Sequence, residues 1–282
     1  MRLVCCCNVA RRNIQRKNGR GEMRIVSLAP SATAILCAVG ARRTLVGVTK
    51  WCADVAEVGG LPRVGDCWHM GSVEEIVALR PDLVIGSVPF KAETVAKLLE
   101  APVDFLAKNP RTLADIYADV RMLSRIVGRA EAGQKVVARM RREFAALAAQ
   151  SGRWARRQAM RAKAKRKPVR VYCEAWPNPR ISSPPWVAEL VKICGGEMVV
   201  RAGTRVSDEE VAAGAPEVMV LAWTAVGDKS KPKQAYCVNA WEDVPAIRER
   251  RVFVVRDELL NTPGPPLVAG AKELWQILHR RN

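Results

Sequence analysis

Histidine and most aromatic residues are scarce in this chain of 282 residues, which has two His, three Tyr and four Phe but eight Trp. With so few imidazoles, general acid–base chemistry would fall on carboxylates, and none of these is visibly paired. The chain also lacks a GxSxG nucleophile elbow, a GxxxxGKS or GxxxxGKT phosphate loop and a GxGxxG turn after a strand. These absences argue against the common hydrolases and nucleotide-binding enzymes, and an α/β enzyme of unidentified activity is kept only as an alternative.

Paired cysteine motifs and long apolar runs are also missing. The nine cysteines include no CxxC pair and are odd in number, a pattern typical of a reducing compartment rather than of a disulfide framework. No apolar run approaches the roughly 18 to 20 residues that span a bilayer, so we expect no transmembrane segment. The first residues turn basic after Cys7 and lack the apolar core of about 7 to 15 residues that a signal peptide needs.

The sequence as written therefore predicts a cytoplasmic protein. Residues 1–22 are predicted to be a disordered basic extension or a misassigned start, because Met23 stands directly before the first predicted strand. If the start is misassigned, a periplasmic location is the alternative.

Acidic residues are outnumbered, since 46 Lys and Arg face 28 Asp and Glu and give a formal net charge of +18. Residues 1–22 carry +5 and residues 139–170 carry +11, so the rest of the chain is close to neutral. A basic groove along the body of the protein is therefore not indicated, and nucleic-acid binding is disfavoured. Alanines between the charges of the second stretch favour a long solvated helix, with contact to RNA or an anionic membrane surface as the alternative.

The chain does contain an internal repeat of fourteen residues. Residues 72–85 align without a gap with residues 207–220, so the second copy begins 135 positions after the first (207 − 72). In each copy a serine and a glutamate three residues later predict a capping box that opens a short helix; the pairs are Ser72 with Glu75 and Ser207 with Glu210. A proline then ends the helix, and an acidic residue leads into an apolar run typical of a buried strand. The repeat predicts two lobes of one design, with a ligand cleft between them.

Short apolar strands alternate with helices on both sides of the repeat, which predicts the α/β class with mostly parallel sheets. We predict an N-terminal α/β lobe over residues 23–108, linking helices with the basic segment over 109–167, and a C-terminal α/β lobe ending in a helix over 168–282. Apolar residues at three- and four-residue steps from Val136 to Leu147 indicate one packed face of a long helix. At about 1.5 Å per residue, such a helix can join two lobes as a rigid strut.

Four segments in order carry a resemblance to a known family. They are Ser27-Leu-Ala-Pro-Ser-Ala-Thr33, Val46-Gly-Val-Thr-Lys-Trp51, Glu74-Glu-Ile-Val-Ala-Leu-Arg-Pro-Asp-Leu-Val84, and the stretch from Trp241 through Pro245-Ala-Ile-Arg to Arg251-Val-Phe-Val-Val255. Together they resemble the substrate-binding proteins of iron-chelate and cobalamin ABC importers, and most of all the cobalamin-binding proteins. The resemblance covers essentially Met23 to His279. It implies two Rossmann-like lobes joined by a single long backbone helix, no catalytic residues, and a ligand held between the lobes.

The resemblance also implies where a ligand is held. Cobalamin is a large corrin with amide side chains, so its receptor needs flat aromatic walls and a few polar partners. The residues that match the family's aromatic loop positions each follow a predicted strand, where open α/β sheets bind ligands; they are Trp51, Trp68, Trp176 and Trp223. Loop placement adds candidate polar partners, which are Ser183 and Asn261 with their neighbours Ser182 and Thr262. A ferric siderophore or haem is the alternative ligand, and the near-neutral lobes argue mildly against a negatively charged siderophore.

An ABC importer permease is the partner that the resemblance implies. In the family an exposed acidic residue on each lobe docks onto permease arginines, and the matching positions are Glu74 and Glu209, one in each copy of the repeat. An acid in the first turn of a helix is also stabilised by the helix dipole, so helix initiation alone is the alternative reading of both residues. We expect the protein itself to be a monomer.

No metal site is predicted. His69, Cys52 and Cys67 adjoin the candidate walls, and imidazole or thiolate ligands bind cobalt and iron readily. However, a lone histidine without a second ligand at metal spacing is more often a surface or packing residue. The two cysteines are correspondingly expected to be small loop residues.

Overall fold

The first lobe is built on four parallel strands in the order β2-β1-β3-β4. The computed structural model describes residues 22–162, 167–224 and 231–280. The strands of this lobe are β1 (Ile25–Ser27), β2 (Leu45–Val48), β3 (Leu83–Ser87) and β4 (Phe105–Lys108). Its helices are α1 (Pro30–Ala38), α2 (Val73–Ala78) and α3 (Ala92–Glu100), with 3-10 turns at Arg42–Thr44 and Lys50–Asp54.

Two helices lead to the second lobe, α4 (Leu113–Ile126) and α5 (Ala130–Ala162). The strands of that lobe are β5 (Val169–Pro177), β6 (Arg180–Ser182), β7 (Gly196–Met198), β8 (Val218–Leu221) and β9 (Val252–Val254). Its helices are α6 (Pro185–Ile193), α7 (Asp208–Ala213), α8 (Pro245–Arg248), α9 (Asp257–Leu260) and α10 (Leu267–His279), with 3-10 turns at Pro232–Cys237 and Asn239–Trp241.

The second sheet repeats the first and adds one strand. The strands β7, β5, β8 and β9 are parallel and follow the order of β2, β1, β3 and β4. The extra strand β6, which the sequence did not predict, pairs antiparallel with the end of β5. The predicted fold is therefore confirmed, an α/β protein of two lobes with mostly parallel sheets and one long helix between them.

The fourteen-residue repeat occupies the same place in both sheets. Leu83 of β3 pairs with Ile25 of β1, and its repeat partner Val218 of β8 pairs with Val171 of β5. Because matched residues take matched register positions, the sequence repeat reflects a duplicated structural unit.

Hydrogen bonds and backbone angles also repeat. Asp82 accepts the backbone N–H of Arg24 at 2.9 Å, and Glu217 accepts that of Arg170 at 2.9 Å. The residues before the two matched prolines, Arg80 and Ala215, both have positive φ, at 46° and 43°. Non-glycine residues rarely adopt this conformation, so the same strained turn is kept in both lobes.

Only the second copy forms the predicted capping box. Ser207 accepts the Glu210 backbone N–H at 3.1 Å, and the Glu210 carboxylate accepts the Ser207 N–H at 2.7 Å. In the first copy Ser72 instead accepts the backbone N–H of Glu74 at 3.2 Å and donates its hydroxyl to the same residue at 2.5 Å. The prediction for Glu75 is wrong because Glu74 engages the serine hydroxyl in both roles.

One face of α5 joins the two lobes. The apolar residues that the sequence placed on this face are all buried, and they lie in a cluster with residues of α4, α6 and α10. Two contacts outside the apolar cluster also hold α10 against α5. Lys272 of α10 pairs with Glu143 at 2.6 Å, and the His279 ring lies 4.4 Å from the Trp154 ring. The long helix therefore packs directly against the second lobe, while α4 packs on α1 and connects it to the first lobe. No helix within 22–162, 167–224 or 231–280 is long and apolar enough to cross a membrane.

The other face of α5 carries part of the basic stretch. Arg153, Arg156, Arg157 and Arg161 are all exposed, and their three- and four-residue spacing places them in one stripe beside Met160, which is 79% exposed. The predicted solvated helix is thus present as far as Ala162. Residues 163–166 of the basic segment and residues 1–21 of the predicted extension lie outside the described residues.

Replacing Arg153, Arg157 and Arg161 by glutamine should raise the melting temperature. Each like-charge pair at i,i+4 spacing destabilises a helix by about 0.2–0.5 kcal/mol, whereas glutamine has a similar helix propensity to arginine. For a domain of this size we expect a rise of about 1–3 °C by calorimetry at low ionic strength. The rise should disappear at about 1 M salt, where charges are screened within roughly 3 Å.

The matched control replaces Lys97, Arg201 and Arg248, which are exposed but scattered over the two lobes. An equal rise in melting temperature for both variants would show that net charge, and not the stripe, destabilises the fold.

Candidate functional site

The hairpin of β5 and β6 holds Trp176 at the end of a strand. Trp176 lies opposite Ile181 in the antiparallel pair, and its indole N–H donates to the Asn178 carbonyl at 2.9 Å. The residue is nevertheless 36% exposed. The turn therefore fixes the indole and leaves its ring accessible, as a stacking wall requires.

Trp223 follows β8 but differs from the sequence prediction, because it is only 8% exposed. Its indole N–H donates to Glu174 Oε1 at 2.7 Å, and its ring belongs to the apolar core of the second lobe. Trp223 was predicted as an aromatic wall of the ligand site, but its ring is buried in this core because its indole N–H is paired with the buried carboxylate of Glu174.

A buried polar cluster surrounds Glu174, which has no exposed surface. Its carboxylate accepts the Tyr172 hydroxyl at 2.7 Å as well as the indole of Trp223, and it pairs with the guanidinium of Arg180. Burial raises the pKa of Tyr172 well above its ordinary value, and the neighbouring carboxylate raises this pKa further. The phenol therefore stays protonated and acts as a donor.

Arg180 links this cluster to helix α7. Its guanidinium also donates to Asp208 Oδ1 at 2.6 Å and lies over the ring of Trp241, 4.2 Å from the centroid. Trp241 in turn donates its indole N–H to the Asp208 carbonyl at 3.0 Å. These contacts were not predicted from the sequence. The glutamate inside the apolar run of β5 could have indicated them, since a buried charge needs a partner.

Trp51 lies in the first lobe, in the Lys50–Asp54 turn that follows β2. It is half-buried, and the Lys50 ammonium lies 4.5 Å from its ring centroid. Asp54, at the end of the same turn, lies 3.7 Å from Arg256, which follows β9 of the second lobe. The two lobes therefore meet beside Trp51.

Trp68 and His69 are exposed on the loop between β2 and α2. Asp66 Oδ1 accepts their backbone N–H groups at 2.8 and 2.6 Å, which holds the loop in a turn. A Cβ at Gly65 would lie 2.6 Å from Met70 Cα, so the loop folds closely on itself. Trp68 is 49% exposed on this fixed loop.

The two candidate cysteines are buried rather than presented to a metal. Cys52 accepts the Thr33 hydroxyl at 3.1 Å, and burial raises its pKa. Burial raises the pKa of Cys67 to about 12. Both thiols therefore stay protonated near neutral pH, and only thiolates bind metals well. In the described parts of the chain, no three His, Cys, Asp or Glu residues cluster as metal ligands.

Ser183 and Asn261 each carry a polar atom that finds no partner among the described residues, namely Oγ and Oδ1. The amide N–H of Asn261 is used, since it donates to the Ala222 carbonyl at 2.5 Å. Ser87, at the end of β3, carries a further such atom, its hydroxyl oxygen, which was not predicted from the sequence. Buried polar atoms without partners are rare, so these atoms are available to a ligand or water. Ser182 is not equivalent, because its hydroxyl donates to the Arg201 carbonyl at 2.7 Å.

Glu74 and Glu209 are exposed in the first turns of α2 and α7. The hydroxyl of Ser72 lowers the pKa of Glu74, and the backbone N–H of Glu209 together with Ser207 lowers the pKa of Glu209. Both carboxylates therefore stay charged at a lower pH than an ordinary glutamate does. The structure places them at matched positions of the two lobes.

Two cavities lie away from the tryptophans. One of about 470 Å³ lies where the lobes meet, between α1, the residues after Trp51 and α9, and its lining includes Cys37, Asp54 and Glu258. The other, of about 570 Å³, is lined by residues that include Met23 and Arg129. None of the four tryptophans lines either cavity, so Trp68 and Trp176 are assigned to the candidate site by their places after strands and by their exposure.

Comparisons with known proteins agree with this architecture. The periplasmic binding protein family matches residues 25–259. The vitamin B12-binding protein of Vibrio parahaemolyticus is 29% identical over 251 residues, which cover 86% of this chain and 84% of the relative.

Two solved structures share the fold. The periplasmic vitamin B12 binding protein of Vibrio cholerae superposes with a TM-score of 0.69 at 23% identity, covering 91% of this chain and 96% of that one. A periplasmic haem binding protein from Pseudomonas aeruginosa superposes with a TM-score of 0.75 at 20% identity, covering 92% and 93% of the two chains. The resemblance seen in the sequence is thereby confirmed, and the chain belongs to the periplasmic binding protein family.

Proposed function

We propose that this protein binds cobalamin or a related corrinoid between its lobes, without catalysis, as the substrate-binding component of an ABC-type importer. The observation that carries the proposal is the pair of fixed, exposed tryptophans, Trp68 and Trp176, one after a strand in each duplicated lobe. Similarity to a vitamin B12-binding protein over 86% of the chain supports the choice of ligand.

The chemistry of the candidate site suits a large amide-bearing ring system. Indole faces offer flat apolar area to a corrin, and half-buried Trp51 lies three residues before Asp54, which contacts Arg256 of the other lobe. The unpartnered atoms of Ser183 and Asn261 match the needs of amide side chains, which both donate and accept hydrogen bonds.

Trp176→Ala should weaken cyanocobalamin binding by about 10- to 100-fold, because it removes a stacking face worth on the order of 1–3 kcal/mol. Isothermal titration measures the change, and Trp176→Phe should retain most of the affinity. The control is Leu99→Ala, which removes a large side chain that is 72% exposed on α3.

The wild-type protein decides the choice of ligand. A dissociation constant of about 1 mM corresponds to a binding free energy of only about −4 kcal/mol. If the wild type shows no cyanocobalamin binding even at millimolar concentration, the corrinoid proposal fails.

Haem is the second candidate, and a specific feature favours it. His69 is exposed beside Trp68 on the loop held by Asp66, and histidine is a common axial ligand of haem iron. A structurally similar protein from Pseudomonas aeruginosa is a haem binding protein.

For the haem candidate, His69→Ala should abolish the shift of the Soret band that ligation produces on adding haemin. Cyanocobalamin affinity should stay within about twofold, since an aromatic wall does not need the imidazole. A Soret shift that survives the substitution would remove His69 as an iron ligand.

We further propose that the protein works outside the cytoplasmic membrane and that Glu74 and Glu209 dock onto a membrane permease there. Their exposure, charge and matched positions in the two lobes support a two-point contact. The similar structures are of periplasmic proteins, which favours this location over the cytoplasm. Surface carboxylates of this kind speed association with a basic partner through electrostatic steering.

Ser72→Ala should raise the pKa of Glu74 toward its ordinary value, because the Ser72 hydroxyl is the main cause of the low pKa. In the wild type, the stabilising effect of this carboxylate is present above its unfolded-state pKa and is lost as pH falls through its lower folded pKa. Carbon-detected NMR titration of the Glu74 carboxyl measures the change. The Glu209 titration should not move, since its partner is Ser207.

A further inference from the structure

We propose that Arg180 is a positioning residue that ties the ligand mouth of the second lobe to helix α7, so that a bound ligand orders α7. The inference rests on the proposed function, because it needs a ligand in contact with Trp176. It adds a link between the ligand site and the helix that carries Glu209, a link that only one of the two lobes possesses.

The link is a continuous chain of short polar contacts. Trp223 donates to Glu174, Glu174 pairs with Arg180, and Arg180 donates to Asp208, the first residue of α7. Arg180 also begins β6, whose pairing with β5 holds the Trp176 turn. One guanidinium therefore contacts both the strand pair at the mouth and the start of the helix.

The start of α7 is held by two further contacts. The Trp241 indole donates to the Asp208 carbonyl at 3.0 Å, and the Arg180 guanidinium lies on the face of the same indole ring. The next residue of α7 after Asp208 is Glu209, the proposed docking acid. Arg180 is therefore connected to Glu209 by its contact with Asp208 and the single peptide bond that follows.

The link is stiff because its inner end is buried. Glu174 has no exposed surface, and only 13% of the Arg180 side chain is accessible. Breaking such a pair would leave a buried charge without compensation, so a change in the order of the Trp176 turn is passed on to α7 instead of being lost at Glu174. Arginine suits the position because its planar fork can serve two carboxylates at once.

The first lobe has no such link, and the repeat makes this comparison direct. By the register of the two sheets and the alignment of the repeat, Leu28 stands where Glu174 stands, Val73 where Asp208 stands, and Val88 where Trp223 stands. All three residues are apolar. Helix α2 is therefore a natural control for α7 within the same molecule.

Hydrogen–deuterium exchange of the full chain, with and without saturating cyanocobalamin, tests the proposal. In the wild type we expect the ligand to slow exchange of peptides from residues 208–213 by about tenfold, while residues 73–78 of α2 change by less than about twofold. Asp208→Ala should abolish the effect on α7, because it cuts the contact with Arg180 at a side chain that is 39% exposed. The matched control, Glu75→Ala, removes an acid from the first turn of α2 and should leave the α7 response intact.

A second variant addresses Arg180 itself. Arg180→Lys keeps the charge next to Glu174 but offers a single ammonium in place of the fork, so it should fold and should lose most of the α7 response. If the wild type binds cyanocobalamin and α7 shows no protection, or if Asp208→Ala keeps the full response, the link is overturned while the proposed function stands. Absence of any cyanocobalamin binding would overturn the proposed function first, and this inference with it.

Discussion

The packing of one apolar face of α5 is the constraint on which the rest of the structure depends. Val136, Met140, Phe144 and Leu147 lie in one cluster with α4, α6 and α10, so α5 is buried directly against the second lobe and is joined to the first lobe through α4, which packs on α1. Proline is the most frequent cause of a sharp helix kink, and the 33 residues of α5 contain none. The position of each tryptophan relative to the other lobe therefore depends on how these helices pack.

The two lobes share a framework but differ in how their mouths are built. The shared framework is the fourteen-residue repeat. In both copies the strand has the same register, an acidic residue accepts a backbone N–H at the start of the neighbouring strand, and the residue before the proline has a positive φ. At the mouths, the first lobe relies on the fixed loop of Asp66, whereas the second uses a buried charge cluster around Glu174. Duplication thus conserved the backbone while the side chains at the cleft diverged.

The periodic parts of the fold were predictable because apolar spacing and turn residues act locally. The helix that carries Val136 to Leu147, the strand at Leu83 and its copy at Val218 lie where the sequence placed them. The strand β6 was missed because three residues between two turns carry no periodic signal, and its pairing depends on β5. Glu75 was assigned to a capping box by spacing alone, yet Glu74 competes for the same hydroxyl, which spacing does not reveal.

The sequence by itself determined the α/β class, the duplicated lobes and the long joining helix. Those features depend on local propensity, periodicity and order along the chain. Only the tertiary structure decided that Trp223 turns inward to Glu174, and that Cys52 and Cys67 are buried thiols. The physical reason is that burial and pairing depend on partners distant in the chain, such as Arg180 and Asp208, whose proximity exists only once the sheets and helices have packed.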